Sequence, residues 1–141
     1  MSRLYEIYVR MELDMGELPE QEKEYRIRKK VLPFLLYPDV DPRKPKHADE
    51  LTALHSRMRL VDFDLDTDVN TEGKDTELTV ATCTYQRYFC GGYSEEEFEE
   101  DVEKQIERMK ESLPWKFYAK VSATYLEREP DICVDGGNLH E

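Results

Sequence analysis

The sequence predicts an α+β fold: an antiparallel sheet with helices on one face, in a ferredoxin-like βαββαβ order with an insertion in the first crossover. Three observations carry this. Residues 3–13, 59–69, 76–90 and 115–128 alternate or are rich in β-branched and aromatic residues, as strands are. Residues 94–113 instead repeat on the helical period. The stretch 14–57 is too long for a simple first crossover and needs an insertion.

In the first strand Tyr5, Ile7, Val9, Met11 and Leu13 share a face, and Leu4, Glu6, Tyr8, Arg10 and Glu12 share the other. Asp14–Pro19 then supplies a turn with Gly16. Two periods compete over residues 20–37. A helix that starts near Pro19 and ends by Pro33 fits, and so does a strand through Tyr25, Ile27, Lys29 and Val31, which would make a different α+β sheet. The expectation is a helix at the start of this segment. Tyr37–His47 holds three prolines and reads as a long loop, either a mobile flap or a recognition segment. Leu51, Leu54 and Met58 fall at helical spacing, so Ala48–Arg57 reads as a short helix.

The strands 59–69 and 76–90 flank the turn Asn70–Asp75 and form a hairpin. Gly91-Gly92 then leads to the helix Ser94–Leu113. Its stripe is Phe98, Val102, Ile106, Met109 and Leu113, Ser94 is the N-cap, and Glu97 completes a capping box. After Pro114 comes a last strand with Phe117, Ala119, Val121, Ala123 and Tyr125 on one face. A single domain is expected over 1–128, followed by an irregular tail at 129–141.

The chain has 141 residues, with 32 acids against 20 bases and a formal net charge of −12. That balance disfavours nonspecific attraction to nucleic acid or to an anionic membrane. No apolar run approaches the roughly 18–20 residues of a membrane span. The three cysteines, Cys83, Cys90 and Cys133, are sparse and odd in number, which suits reduced thiols in the cytoplasm.

Four groups of residues could carry chemistry. Asp62, Asp64, Asp66 and Asp68 line one face of a strand, successive members about 6.5–7 Å apart, a spacing that suits a cation or imitates a row of phosphates. The simpler account is the solvated face of a half-buried strand, although like charges in a row repel. Glu96, Glu99, Glu100 and Glu103 lie on the helix 94–113 and form either an acidic surface for a partner or an ordinary solvated face. Residues 23–46 concentrate the bases Arg26, Arg28, Lys29, Lys30, Arg43 and Lys44 among Tyr25, Phe34 and Tyr37, which suits RNA, or pairing with acids of this chain or of a second copy. His47, His55 and Cys90 are the residues of a ligand site under the proline-rich loop.

No zinc-type spacing, phosphate loop or hydrolase elbow is present. The sequence therefore predicts a small acidic, non-enzymatic protein with no cofactor and no metal. Its negative surface would meet a protein partner with a basic surface, at a place that otherwise takes nucleic acid. Self-association through the open sheet face or an edge strand is a further expectation. The alternatives are a ligand- or metal-dependent enzyme or sensor with its site under the loop 37–47, and RNA binding through 23–46.

Overall fold

The computed structural model describes residues 3–44, 58–70, 77–89, 94–125 and 128–139. Among these, β1 (Arg3–Leu13), β2 (Met58–Asn70), β3 (Glu77–Phe89), β4 (Phe117–Tyr125) and β5 (Arg128–Gly137) form one antiparallel sheet in the order β2-β3-β1-β4-β5. Helix α1 (Glu20–Arg26) runs through a π-helical turn (Ile27–Val31) into α2 (Leu32–Leu36), and α3 spans Glu95–Ser112. The α+β class is the predicted one. The strand order departs from a simple four-stranded pattern because a fifth strand lies outside β4. The segment predicted as a short helix at Ala48–Arg57, the predicted turn Asn70–Asp75 apart from Asn70, and Gly91-Gly92 lie outside the described residues.

The alternation of β1 sets the two faces. Tyr5, Ile7, Val9, Met11 and Leu13 are all buried, and across the register Ala81, Cys83 and Tyr85 of β3 and Ala119, Val121 and Ala123 of β4 join them. The α3 stripe covers this layer, with Phe98 stacked on Tyr5 at 6.3 Å between ring centroids. Ser94 Oγ accepts the Glu97 backbone N–H at 3.1 Å, the capping contact its position predicts. The other sheet face carries no described helix.

Two expectations are corrected. The helix after β1 does not end at Pro33; it continues to Leu36, and the strand alternative is not adopted. Lys23, Ile27, Val31 and Leu35 are all buried at a step of four. In a pure α-helix that step overshoots a full turn by about 40° each time, and a wider π turn takes up the drift. The Leu32 N–H reaches back to the Ile27 carbonyl, five residues away, as a π turn requires.

The tail 129–141 is likewise not irregular throughout, since Arg128–Gly137 is β5, paired with β4. Ile132 and Val134 are buried on the core side, and their alternation is what holds the strand. Pro130 is tolerated because β5 is an edge strand. Gly137 has φ 144°, and a Cβ there would lie 2.2 Å from the Phe117 carbonyl oxygen. The chain is then tied off by the Asn138 and Leu139 N–H groups, which both donate to that same oxygen.

Candidate functional site

The sheet face turned away from the described helices is built by the residues out of phase with the core. Glu6, Tyr8, Arg10 and Glu12 of β1 stand beside Gln86, Thr84, Thr82 and Val80 of β3 and beside Thr124, Ser122, Lys120 and Tyr118 of β4. Leu78 and Val80 are buried, so the accessible part of β3 runs from Thr82 to Tyr88. Tyr8 is 41% exposed and Tyr88 56% exposed, and they sit on the two strands nearest the middle of this face. Tyr88 pairs with Leu4, four residues from Tyr8, which separates the two tyrosines by about 13 Å along the strands. Tyr8 is flanked by the small hydroxyl residues Thr84 and Ser122, so its ring is accessible from above.

Carboxylates stand nearer Tyr8 than Tyr88, which lies about 20 Å along the strands from the row of Asp64 and Asp135. Asp62, Asp64 and Asp66 of edge strand β2 stand opposite Thr84, Thr82 and Val80, and Asp64 and Asp66 are exposed. The register shifts between Asp66 and Val69, so Asp68 is not a fourth rung of the ladder. On the far edge Asp135 is exposed and accepts the Tyr118 hydroxyl. That bond raises the Tyr118 pKa, with desolvation adding to it. Glu6 accepts from Gln86 at 3.2 Å, and Arg10 pairs with Glu12 at 2.7 Å. Lys120 of β4 is exposed on the same face, opposite Arg10 and Asp135.

The acids of α3 are elsewhere. Glu96, Glu99, Glu100 and Glu103 are exposed on the helix that packs against the core face, so the fold sets them on the opposite side from Asp64 and Asp66. The basic residues also lie on the helical side. Arg26 pairs with Glu22 at 3.0 Å and stands 5.9 Å from the Trp115 ring centroid; Arg28 pairs with Glu24 at 3.1 Å. Lys29, Lys30 and Lys44 are exposed.

The described part of the proline-rich loop is not a flap. Tyr37, Pro38, Val40 and Asp41 are buried. Gln105 of α3, fully buried, donates its amide to the carbonyls of Phe34, Tyr37 and Val40 at 2.8–3.0 Å and accepts from Arg108 at 2.6 Å. Arg43 binds Asp41 at 3.0 Å and Glu111 at 3.1 Å, and its hydrogen bonds hold the Asp41 carboxyl down at about 2. Buried Arg87 grips Asp39 through both terminal nitrogens at 2.7 and 2.8 Å. Tyr85 donates to the Leu35 carbonyl at 2.8 Å, and burial pushes its hydroxyl pKa up.

Of the predicted ligand site under this loop, His47, His55 and Cys90 lie outside the described residues. Among the described residues no group of three or more His, Cys, Asp or Glu is placed to hold a metal ion, and no helix is long and apolar enough to cross a membrane. Sequence reasoning overlooked three things: the exposure of Tyr8 and Tyr88, the clamp at Gln105, and the pairing of Arg87 with Asp39. Phase was the available signal. Both tyrosines fall out of step with the core, whereas Arg87 and Gln105 fall in step with it. Compared with known proteins, the chain matches no family model, no curated protein and no solved structure.

Proposed function

We propose that this chain is a non-enzymatic interaction protein whose open sheet face receives a basic segment of a protein partner. The observation that carries the reading is an exposed tyrosine beside carboxylates: Tyr8 stands two residues from Glu6 on β1, Asp64 and Asp135 lie in the next cross-strand row with Arg10, and Tyr88 adds a second exposed ring about 13 Å along the strands. A tyrosine face attracts a guanidinium or ammonium group, by about 0.5–1 kcal/mol at an exposed site. Carboxylates beside it add charge-assisted hydrogen bonds and steer a basic partner in. The same carboxylates repel phosphate, so stacked nucleic-acid bases are a poor fit despite the aromatic rings. A partner segment that otherwise contacts phosphates would suit the row of aspartates.

The order β2-β3-β1-β4 supports reading the core of the sheet as a ferredoxin-like split unit with a helical insertion after β1 and one added edge strand. Cys83, which is buried, and Cys133, which is exposed, are in no disulfide among the described residues, and this fits a reducing cytoplasmic setting. Acidic residues on β2 discourage edge-to-edge pairing there, which leaves β5 as the edge for self-association.

The test uses a fluorescent arginine- and lysine-rich peptide of about ten residues, titrated by anisotropy at low and physiological salt. D64K/D66K should weaken binding about tenfold, and Y8A/Y88A should weaken it severalfold. E96K/E99K makes the same charge change on the opposite side and should stay within about twofold. Equal losses from the two charge-reversing pairs would reduce the effect to net charge and overturn the proposal, as would failure to bind.

A further inference from the structure

The helical side carries a second feature that the open-face reading does not use. A groove of about 350 Å³ opens where the π turn, α2, the proline-rich loop and the C-terminal end of α3 converge. Phe34, Pro42, Leu113 and Pro114 supply apolar wall, and Lys29 and Lys30 stand on its lip. Phe34 is buried, Pro42 and Leu113 are half-buried, and Pro114 is exposed.

The walls are set before any ligand arrives. Gln105 fixes the loop by its three carbonyl contacts, and Arg43 ties Asp41 to Glu111 and Ser112 across the groove's end. Two of the lining residues named above are prolines, which lose little freedom when something docks against them. The volume is at the low end of the range for small-molecule sites, about 300–1,000 Å³.

The charge at the lip is the second observation. Arg26, Arg28 and Arg43 each have an acidic partner. Lys29 and Lys30 make no ion pair with a described residue, in a chain with 32 acids to 20 bases. The π turn places these adjacent lysines on the solvent side while Ile27 and Val31 go inward, and π turns recur at functional sites. Two ammonium groups above an apolar trough complement one kind of guest: an oxyanion carried on an apolar body. Ammonium groups act as point charges and lack the fork that would select a planar carboxylate, so they accept carboxylate or phosphate alike.

We infer that this groove binds a small amphipathic anion, with its apolar body against Phe34, Pro42 and Leu113 and its head between Lys29 and Lys30. The site is independent of the open face, and each can fail without the other.

The experiment titrates the isotope-labelled full chain by amide NMR with octanoate, octyl phosphate and octanol. Octanoate or octyl phosphate should shift the amides of Lys29, Lys30, Phe34, Arg43 and Leu113 and saturate, and the tighter of the two identifies the head group. Octanol should bind at least about tenfold more weakly. K29E/K30E changes two exposed side chains, so the remaining spectrum should be preserved while affinity for the anion falls about tenfold. Equal binding of octanol and octanoate, wild-type affinity in K29E/K30E, or shifts confined to the open sheet face would each overturn the inference.

Discussion

Asp41 and Gln105 show how single polar side chains hold a segment that composition alone would leave loose. Gln105 sits between Val102 and Ile106 on the inward stripe of α3, so its amide is carried into the core by the helix itself. Once there it must be satisfied, because a buried unpaired amide costs about 1–3 kcal/mol. The Phe34 carbonyl of α2, the Tyr37 and Val40 carbonyls of the loop, and Arg108 supply the partners. Asp41 does the same with charge. Its folded pKa is lowered to about 2 from 3.8, chiefly by the Arg43 hydrogen bond. Its contribution to stability is therefore complete above the unfolded value and is lost as pH falls from about 3.8 towards 2. Arg43 is partly solvated, so the contribution is discounted to about 1 kcal/mol. Urea unfolding of D41N should show a loss of about that size at neutral pH that shrinks towards zero near pH 2. A difference between wild type and D41N that persists unchanged to the acid limit would mean that Asp41 acts through shape rather than charge.

At the level of elements, β5 depends on one backbone conformation. Gly137 holds φ 144°, and an added Cβ would meet the Phe117 carbonyl oxygen at 2.2 Å; Gly136 has ordinary φ, and its Cβ would sit 3.4 Å from the Ile106 side chain. G137A should therefore cost about 2–4 kcal/mol and loosen the β4–β5 ladder, whereas G136A should change stability by less than about 1 kcal/mol. Urea midpoints for the pair, with amide exchange of Ile132 and Val134, decide it; equal costs would show that the strand end can relax. The same strand shows where sequence reasoning stops. Helix α3 was legible because five apolar residues and an N-cap agree on one period. β5 was not, because Ile132 and Val134 give only two turns of alternation between Pro130 and a glycine pair. The helix through Pro33 was obscured for a related reason: its buried step of four fits one face of a strand and overshoots a plain α-helical turn, and only the π turn reconciles it with a helix. The core face of the sheet was readable from alternation, but the open face was not, since exposure depends on what the helices leave uncovered. The apolar groove was illegible too, as its walls come from segments about 70 residues apart in the chain.

Across the whole molecule the sheet separates two chemistries. One side has the helices, their paired arginines and the lysine-lipped groove; the other has exposed Tyr8 and Tyr88, with Asp64, Asp66 and Asp135 on its edge strands. Asp64 and Asp66 are the residues whose presence stability alone does not explain. They lie about 6.5–7 Å apart on an edge strand of a protein with net charge −12, where a carboxylate meets further carboxylates and β-propensity is poor. If their role were only solvation, threonine would serve as well and sit better in a strand. D64T/D66T should raise the unfolding free energy by about 0.5–1 kcal/mol. The gain should shrink as salt rises, because the spacing is close to the Debye length of about 8–10 Å at physiological to moderate ionic strength. In the same protein, affinity for the basic peptide should fall severalfold. Stability rising while capture falls is the signature of residues kept for a surface at the expense of the fold. A variant that is both less stable and unchanged in capture would instead assign Asp64 and Asp66 to holding the edge strand.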